Sequence, residues 1–90
     1  MSDEDIALST RDKIRVGRLI DKERARQFAK GWTTAHDDEH DKHHFGDLIE
    51  TRLWRMEDGG ADDAEECMIQ IAALATAYIE KCERARRVHA

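Results

Sequence analysis

No proline occurs in the ninety residues, and the strongest breaks are Gly31 and the run Asp58-Gly59-Gly60. Proline and glycine are the residues that most firmly end a helix, so the chain is free to form long helices that stop at those places. Leu, Ile, Ala and Met outnumber Val, Phe and Tyr, which favours helix over strand. The expectation is an all-α, three-helix chain with helices at about 10–30, 46–57 and 63–87. Residues 1–90 then form one small domain, with 1–8 expected to fray. Ser9 or Thr10 is the expected cap of the first helix, and Asp63, with Glu66 three positions on, the expected capping box of the third.

The patterning assigns faces. On the first helix Val16, Leu19 and Ile20 form a stripe that continues into Glu23 and Gln27. A weaker face carries Ile14, Ala25, Phe28 and Ala29. Phe45, Leu48, Ile49, Leu53 and Met56 share one side of the second helix, with Asp47, Glu50 and Trp54 on the other. The third helix has Cys67, Met68, Ile71, Leu74, Ala75, Tyr78, Ile79 and Cys82 as its main stripe. Its back is softened by Ile69, Ala73, Thr76 and Ala77, small enough in part to admit another helix closely. A helix buried on two sides in so short a chain points to pairing with a second copy, and third helices paired across a dimer would make a helical bundle.

Charge and cysteine content narrow the partners. The chain is 39% charged and 40% hydrophobic with a net charge of −5, which argues against a nucleic-acid polymer as partner. Arg84, Arg86 and Arg87 close the last helix and are expected to complement its dipole. Cys67 and Cys82 would lie about 22 Å apart on one helix, too far for a disulfide, and are expected to be reduced thiols. There is no apolar run of signal-peptide or membrane length, so the expectation is a soluble, cytoplasmic protein with no membrane partner.

Three groups of residues could carry chemistry. His36, His40 and His44 are spaced by four and would share a face if their segment were helical. Imidazole with nearby carboxylate suits zinc, nickel, manganese or iron, whereas a merely solvated loop would bind such ions incidentally. Asp47 and Glu50, one turn apart, could share Mg²⁺ and leave positions for phosphate oxygens, or could form a solvated helix face. Glu23, in line with an apolar stripe, needs a partner if it is buried: a metal, a ligand, or an arginine such as Arg24 or Arg52 of a neighbour. Otherwise the helix emerges into solvent there. Trp32 is either a core anchor or a stacking platform. No glycine-rich phosphate loop, nucleophile elbow or paired CxxC is present.

Glu23-Arg24-x-Arg26-Gln27, Gly31-Trp32-Thr33, His36-Asp37-Asp38-x-His40 and Gly46-Asp47-Leu48 are similar to an ERxRQ…GWT…HDDxH…GEL pattern of small bacteriophage and bacterial proteins. Ile69 to Ala75 with Ile79-Glu80 resembles the closing helix of MazG-like proteins, which are all-α nucleoside triphosphate pyrophosphohydrolases. Together the likeness spans roughly residues 20–84. Asp47-x-x-Glu50 and Asp63-x-x-Glu66 stand where that family has ExxE and ExxD pairs. The resemblance implies Mg²⁺ held by Asp47 and Glu50, with Glu23 and Glu66, and an activated water that splits (d)NTP into (d)NMP and pyrophosphate. Glu23, Asp47 and Glu50 would be catalytic, and Arg24, Gln27, Trp32, His36 and Asp37 would face the nucleotide. The histidine segment would then be the lid or wall of an acidic pocket between the first two helices. Two alternatives stand beside it: a non-catalytic module for a nucleotide-like ligand or host protein, and a transition-metal protein, with zinc or manganese on His36, His40 and His44.

Overall fold

The computed structural model describes the backbone of residues 3–89 and the side chains of 9–60 and 62–88. Among them are four helices and no strand: α1 (Asp3–Ala29), α2 (Thr34–Glu39), α3 (Lys42–Asp58) and α4 (Ala61–His89). The fold is all-α as expected, but the helix count rises from three to four. The segment after Gly31 is not a plain loop, because Thr33 accepts the His36 N–H at 3.3 Å and starts a six-residue helix. Asp41 then accepts the N–H groups of His43 and His44 at 3.0 and 3.2 Å. That cap starts α3 at Lys42, ahead of the expected Gly46.

The other ends follow equally local rules. α1 begins at Asp3, so Ser9 and Thr10 lie inside it instead of capping it; no glycine or proline interrupts the chain between them. Of the residues expected to fray, Met1 and Ser2 lie outside the described ones. α1 stops where expected: Gly31 has φ 103°, Trp32 N–H donates to the Gln27 carbonyl and Gly31 N–H to that of Phe28, each at 3.0 Å. This is the Schellman arrangement, in which glycine takes the left-handed position at least cost. α4 starts at Ala61, so Asp63 is in its first turn and is not the cap. Its carboxylate reaches back 3.4 Å to the Gly60 N–H, the reciprocal half of a capping box.

α4 is the centre. α1 and α3 pack on it without their backbones touching each other, and α2 rests on α4 alone. The buried apolar residues are Phe45 of α3 and Cys67, Ala73, Leu74 and Ala77 of α4. The buried apolar residues of α4 thus come from both of its faces, Cys67 and Leu74 from the expected stripe and Ala73 and Ala77 from the softened back, while Met68 and Ile79 of the stripe are more than half exposed. On α1 the stripe does run from apolar to polar inside the protein: Gln27 is buried, and only 10% of the Glu23 side chain is exposed. Both cysteines are free thiols. No helix of the described residues is long and apolar enough to cross a membrane.

At 1.5 Å per residue α4 is about 43 Å long and α1 about 40 Å. The molecule measures 44 × 39 × 22 Å, so its longest dimension is about the length of α4. Residues 9–16 of α1 are exposed without exception.

Leu74, 2% exposed, carries the largest fully buried side chain. Leu74→Ala is expected to lower stability by about 2–5 kcal/mol through lost burial and a residual cavity. Ile79→Ala, at an exposed position, should change it by about 0.5 kcal/mol or less. Urea unfolding of both variants checks the contrast.

Candidate metal centre

The turn at Gly31, the Thr33 cap and the Asp41 cap set the positions of three imidazoles. His36 lies on α2, His40 ends it, and His44 is in the first turn of α3. Spacing by four brings the rings together across the break between the helices. Ring centroids are 4.1 Å apart for His36 and His40, 4.0 Å for His40 and His44, and 5.3 Å for His36 and His44. One ligand nitrogen from each lies within 4.8 Å of the other two. Aromatic rings continue the line at both ends. Trp32 stacks on His36 at 6.2 Å, His44 meets Phe45 edge-on at 6.0 Å, and Phe45 meets Tyr78 of α4 at 5.3 Å.

Hydrogen bonding engages one nitrogen on two of the three rings. His40 Nδ1 lies 2.6 Å from the His36 carbonyl oxygen, and His36 Nδ1 lies 3.2 Å from Asp37 Oδ1. A carbonyl or carboxylate oxygen only accepts, so both Nδ1 atoms carry a proton, which leaves Nε2 as the lone-pair nitrogen of each neutral ring. His44 Nε2 is buried and has no hydrogen-bond partner among the described residues. Leaving a buried polar atom unpaired costs about 1–3 kcal/mol. Burial, and then the neighbouring His40 and His36, hold the His44 pKa below the ordinary histidine range. One nitrogen from each of the three rings therefore shares one small space. In a tetrahedral site with metal–nitrogen bonds of about 2.0–2.1 Å the ligand nitrogens stand about 3.3 Å apart. From separations of up to 4.8 Å, side-chain rotation has to close only about 1.5 Å.

The surroundings favour a cation. Asp37, Asp38, Glu39 and Asp41 lie between or beside the histidines. The N–H groups of His44 and His43 help to hold the Asp41 carboxyl below the usual carboxylate range, that of His44 most strongly. α4 ties the segment down from the other side. Lys81 donates to the His40 carbonyl, and Arg84 binds Asp38 at 2.8 and 3.2 Å. Arg84 thus pairs across the fold instead of serving its own helix end. Arg86 pairs with Glu83 in the next turn. Lys81 and Arg84 sit more than forty positions from their partners, and nothing in the spacing of the sequence announces them.

The remaining candidates divide into separate places. Arg24, Gln27, Trp32 and Asp37 border one cavity of about 60 Å³ with Thr34 and Leu74. His36 is not in its lining. Ligand pockets usually run to several hundred Å³; this space suits a water molecule or two. Asp47 and Glu50 edge a shallow cavity of about 230 Å³ with Thr51 and Trp54. Glu23 and Glu66 line a different groove, of about 550 Å³, between α1 and α4. Asp63 and Glu66 also border a hollow beside Arg55 and Cys67. Glu23 finds its partner one turn away in Arg26, at 2.7–2.9 Å, and not in Arg24, which binds Glu80. The Arg52 guanidinium lies 5.4 Å from the Trp32 ring and donates to the Leu48 carbonyl. Trp32 is therefore half-buried between α3 and the histidines, with a cation over its face.

Compared with protein families, curated proteins and solved structures, the chain matches none.

The His44 shift has a stability consequence. Above an ordinary histidine pKa of about 6.5, the ring is neutral in both the folded and the unfolded chain. Below it the unfolded chain takes the proton first, because the folded pKa is lowered, and stability falls until the pH passes the folded value. Metal-free protein is expected to lose stability as the pH drops from about 6.5, and His44→Gln to lose less. Urea midpoints measured across this range check it.

Proposed function

We propose that this chain binds a first-row divalent transition metal, zinc foremost, through Nε2 of His36, His40 and His44. The observation that carries this reading is the buried His44 Nε2 without a partner, beside two imidazoles whose other nitrogens are already engaged. A carbonyl or carboxylate on the far nitrogen is the usual device that fixes the tautomer and orientation of a metal-binding histidine. All-imidazole ligation suits zinc, copper, nickel or iron better than manganese, which prefers oxygen. Three histidines leave at least one coordination position for water or another ligand. The ion would also have a mechanical role. α2 has no buried residue, and a metal joining His36 and His40 to His44 would clip it to the start of α3.

Magnesium-dependent triphosphate hydrolysis has less support. Its carboxylates, Asp47 and Glu50 on one side and Glu23 and Glu66 on the other, line different cavities of one chain. A nucleotide-binding module without turnover meets the same obstacle, since the cavity shared by Arg24, Gln27, Trp32 and Asp37 is small.

Calorimetric titration of tag-free, metal-free protein with zinc tests the proposal. One ion per chain is expected, with stability raised by about 4 kcal/mol once free zinc is a thousandfold above Kd. His40→Ala should abolish the site, and Asp37→Ala should weaken it roughly ten- to a hundredfold through loss of the Nδ1 partner. His43→Ala should leave it intact. Binding unaffected by His40→Ala would sink the proposal. Pyrophosphate release from nucleoside triphosphates with Mg²⁺ would instead favour the carboxylate reading.

A further inference from the structure

We infer that two copies of this chain associate through the outer face of α4, their α4 helices crossing antiparallel at Ala72 and Ala75. The spacing is the first indication. Met68, Ala72, Ala75 and Ile79 follow one another at intervals of four, three and four residues, the spacing that keeps side chains on the contact line of two paired helices. At about 100° per residue they fall within about 60° of one another. The buried Ala73, Leu74 and Ala77 lie on the opposite side of the helix. The stripe therefore belongs to a single face.

The chain's own helices pack on other sides of α4. α1 lies along the side that carries Ile69 and Ala77, and α3 along the side that carries Cys67 and Tyr78. The stripe runs between those two sides, and Met68 and Ile79 are 51% and 59% exposed. Enough surface is available for a contact. A compact monomer of 10.4 kDa exposes about 5,400 Å², whereas this chain exposes 6884 Å². The surplus exceeds the roughly 800 Å² that each partner brings to a standard interface.

Symmetry and charge select a second copy as the occupant. A two-fold axis through the point between Ala73 and Leu74 sets Ala72 against the partner's Ala75, and Met68 against the partner's Ile79. Alanines at the crossing let the two backbones approach closely, and the larger side chains fill the space where the helices diverge. Asp62 to Glu66 holds four acids and no base, whereas Lys81 to Arg87 holds four bases and one acid. A parallel pair would bring like ends together. The antiparallel pair brings each acidic start to the partner's basic end. Arg86, which also binds Glu83 of its own chain, then stands one turn from the partner's Glu65. The contact is isologous, so each pairing occurs twice and the assembly closes as a dimer. It is separate from the histidine centre, because Lys81 and Arg84 reach that centre from the opposite side of α4.

Analytical ultracentrifugation of the full chain at about 100 μM should give twice the 10.4 kDa mass. Met68→Lys and Ile79→Lys each bring two charges into the contact and should raise Kd about a hundredfold or more. Both positions are more than half exposed in the single chain. Helical circular dichroism, and urea unfolding at concentrations below Kd, should therefore stay close to those of the parent. Glu65→Arg and Arg86→Glu, both at exposed positions, should each raise Kd about tenfold by placing like charges together at both ends of the contact. The double variant should recover most of that loss. A 10.4 kDa species at about 100 μM would overturn the inference. So would a dimer indifferent to both lysine variants, or charge reversals that fail to compensate each other. If a lysine variant fails to fold, the charge pair decides alone.

Discussion

Burial of the α4 seam formed by Gln70, Ala73, Leu74 and Ala77 is the constraint on which the other features depend. Alanines one turn apart present little bulk, so a neighbouring helix can approach the α4 backbone closely, and Leu74 fills the space beside them. With α1 and α3 on separate flanks of α4, the 33–41 segment is left to span the gap between them. It has little core of its own. Its position comes from the glycine turn that ends α1, the two side-chain caps, and the two cationic residues that α4 extends toward it.

That dependence explains why the histidines form a site and not a solvated run. Phe45, the buried residue of α3, meets Tyr78 of α4 and so anchors the start of α3. His44, its neighbour in sequence, is carried into a partly desolvated position where its Nε2 loses water without gaining a protein partner. Desolvation favours the neutral ring, which is the metal-binding form. The cost of an unpaired buried nitrogen and the benefit of a bound ion thus fall on the same atom. A neutral His44 also escapes repulsion from charge on its neighbours His40 and His36.

The sequence disclosed the features set by local chemistry. Gly31 ends α1 because few other residues accept its left-handed turn, Gly59 ends α3 in extended backbone where a side chain would run into Asp63, and both breaks lie where they were expected. The four-residue spacing of the histidines already implied a shared face if the segment were helical. The faces of α3 were largely legible, with Phe45 buried and Trp54 exposed, but Leu53 of the expected apolar side is exposed as well. The helicity of α2 was not, because six residues with alanine as their one apolar member carry no apolar period and their helix depends on one threonine cap. Glu23 pairs one turn away with Arg26, a local i,i+3 ion pair, and with neither Arg24 nor Arg52. Lys81 and Arg84 could not be assigned to the histidine segment, since only the packing of α2 on α4 brings them there. Of the residues expected to face a nucleotide, Arg24, Gln27, Trp32 and Asp37 border one small cavity and His36 does not.

The central claim is that three particular imidazole nitrogens share one ion, and ¹⁵N-edited NMR of the histidine rings during a zinc titration tests it most directly. His43 lies between Lys42 and His44 in sequence but outside the cluster, so it serves as an internal control. The expected result is that one equivalent of zinc shifts Nε2 of His36, His40 and His44 together, leaves their protonated Nδ1 assignments in place at His36 and His40, and leaves His43 unmoved. Equal shifts at His43, or shifts confined to a single ring, would contradict it.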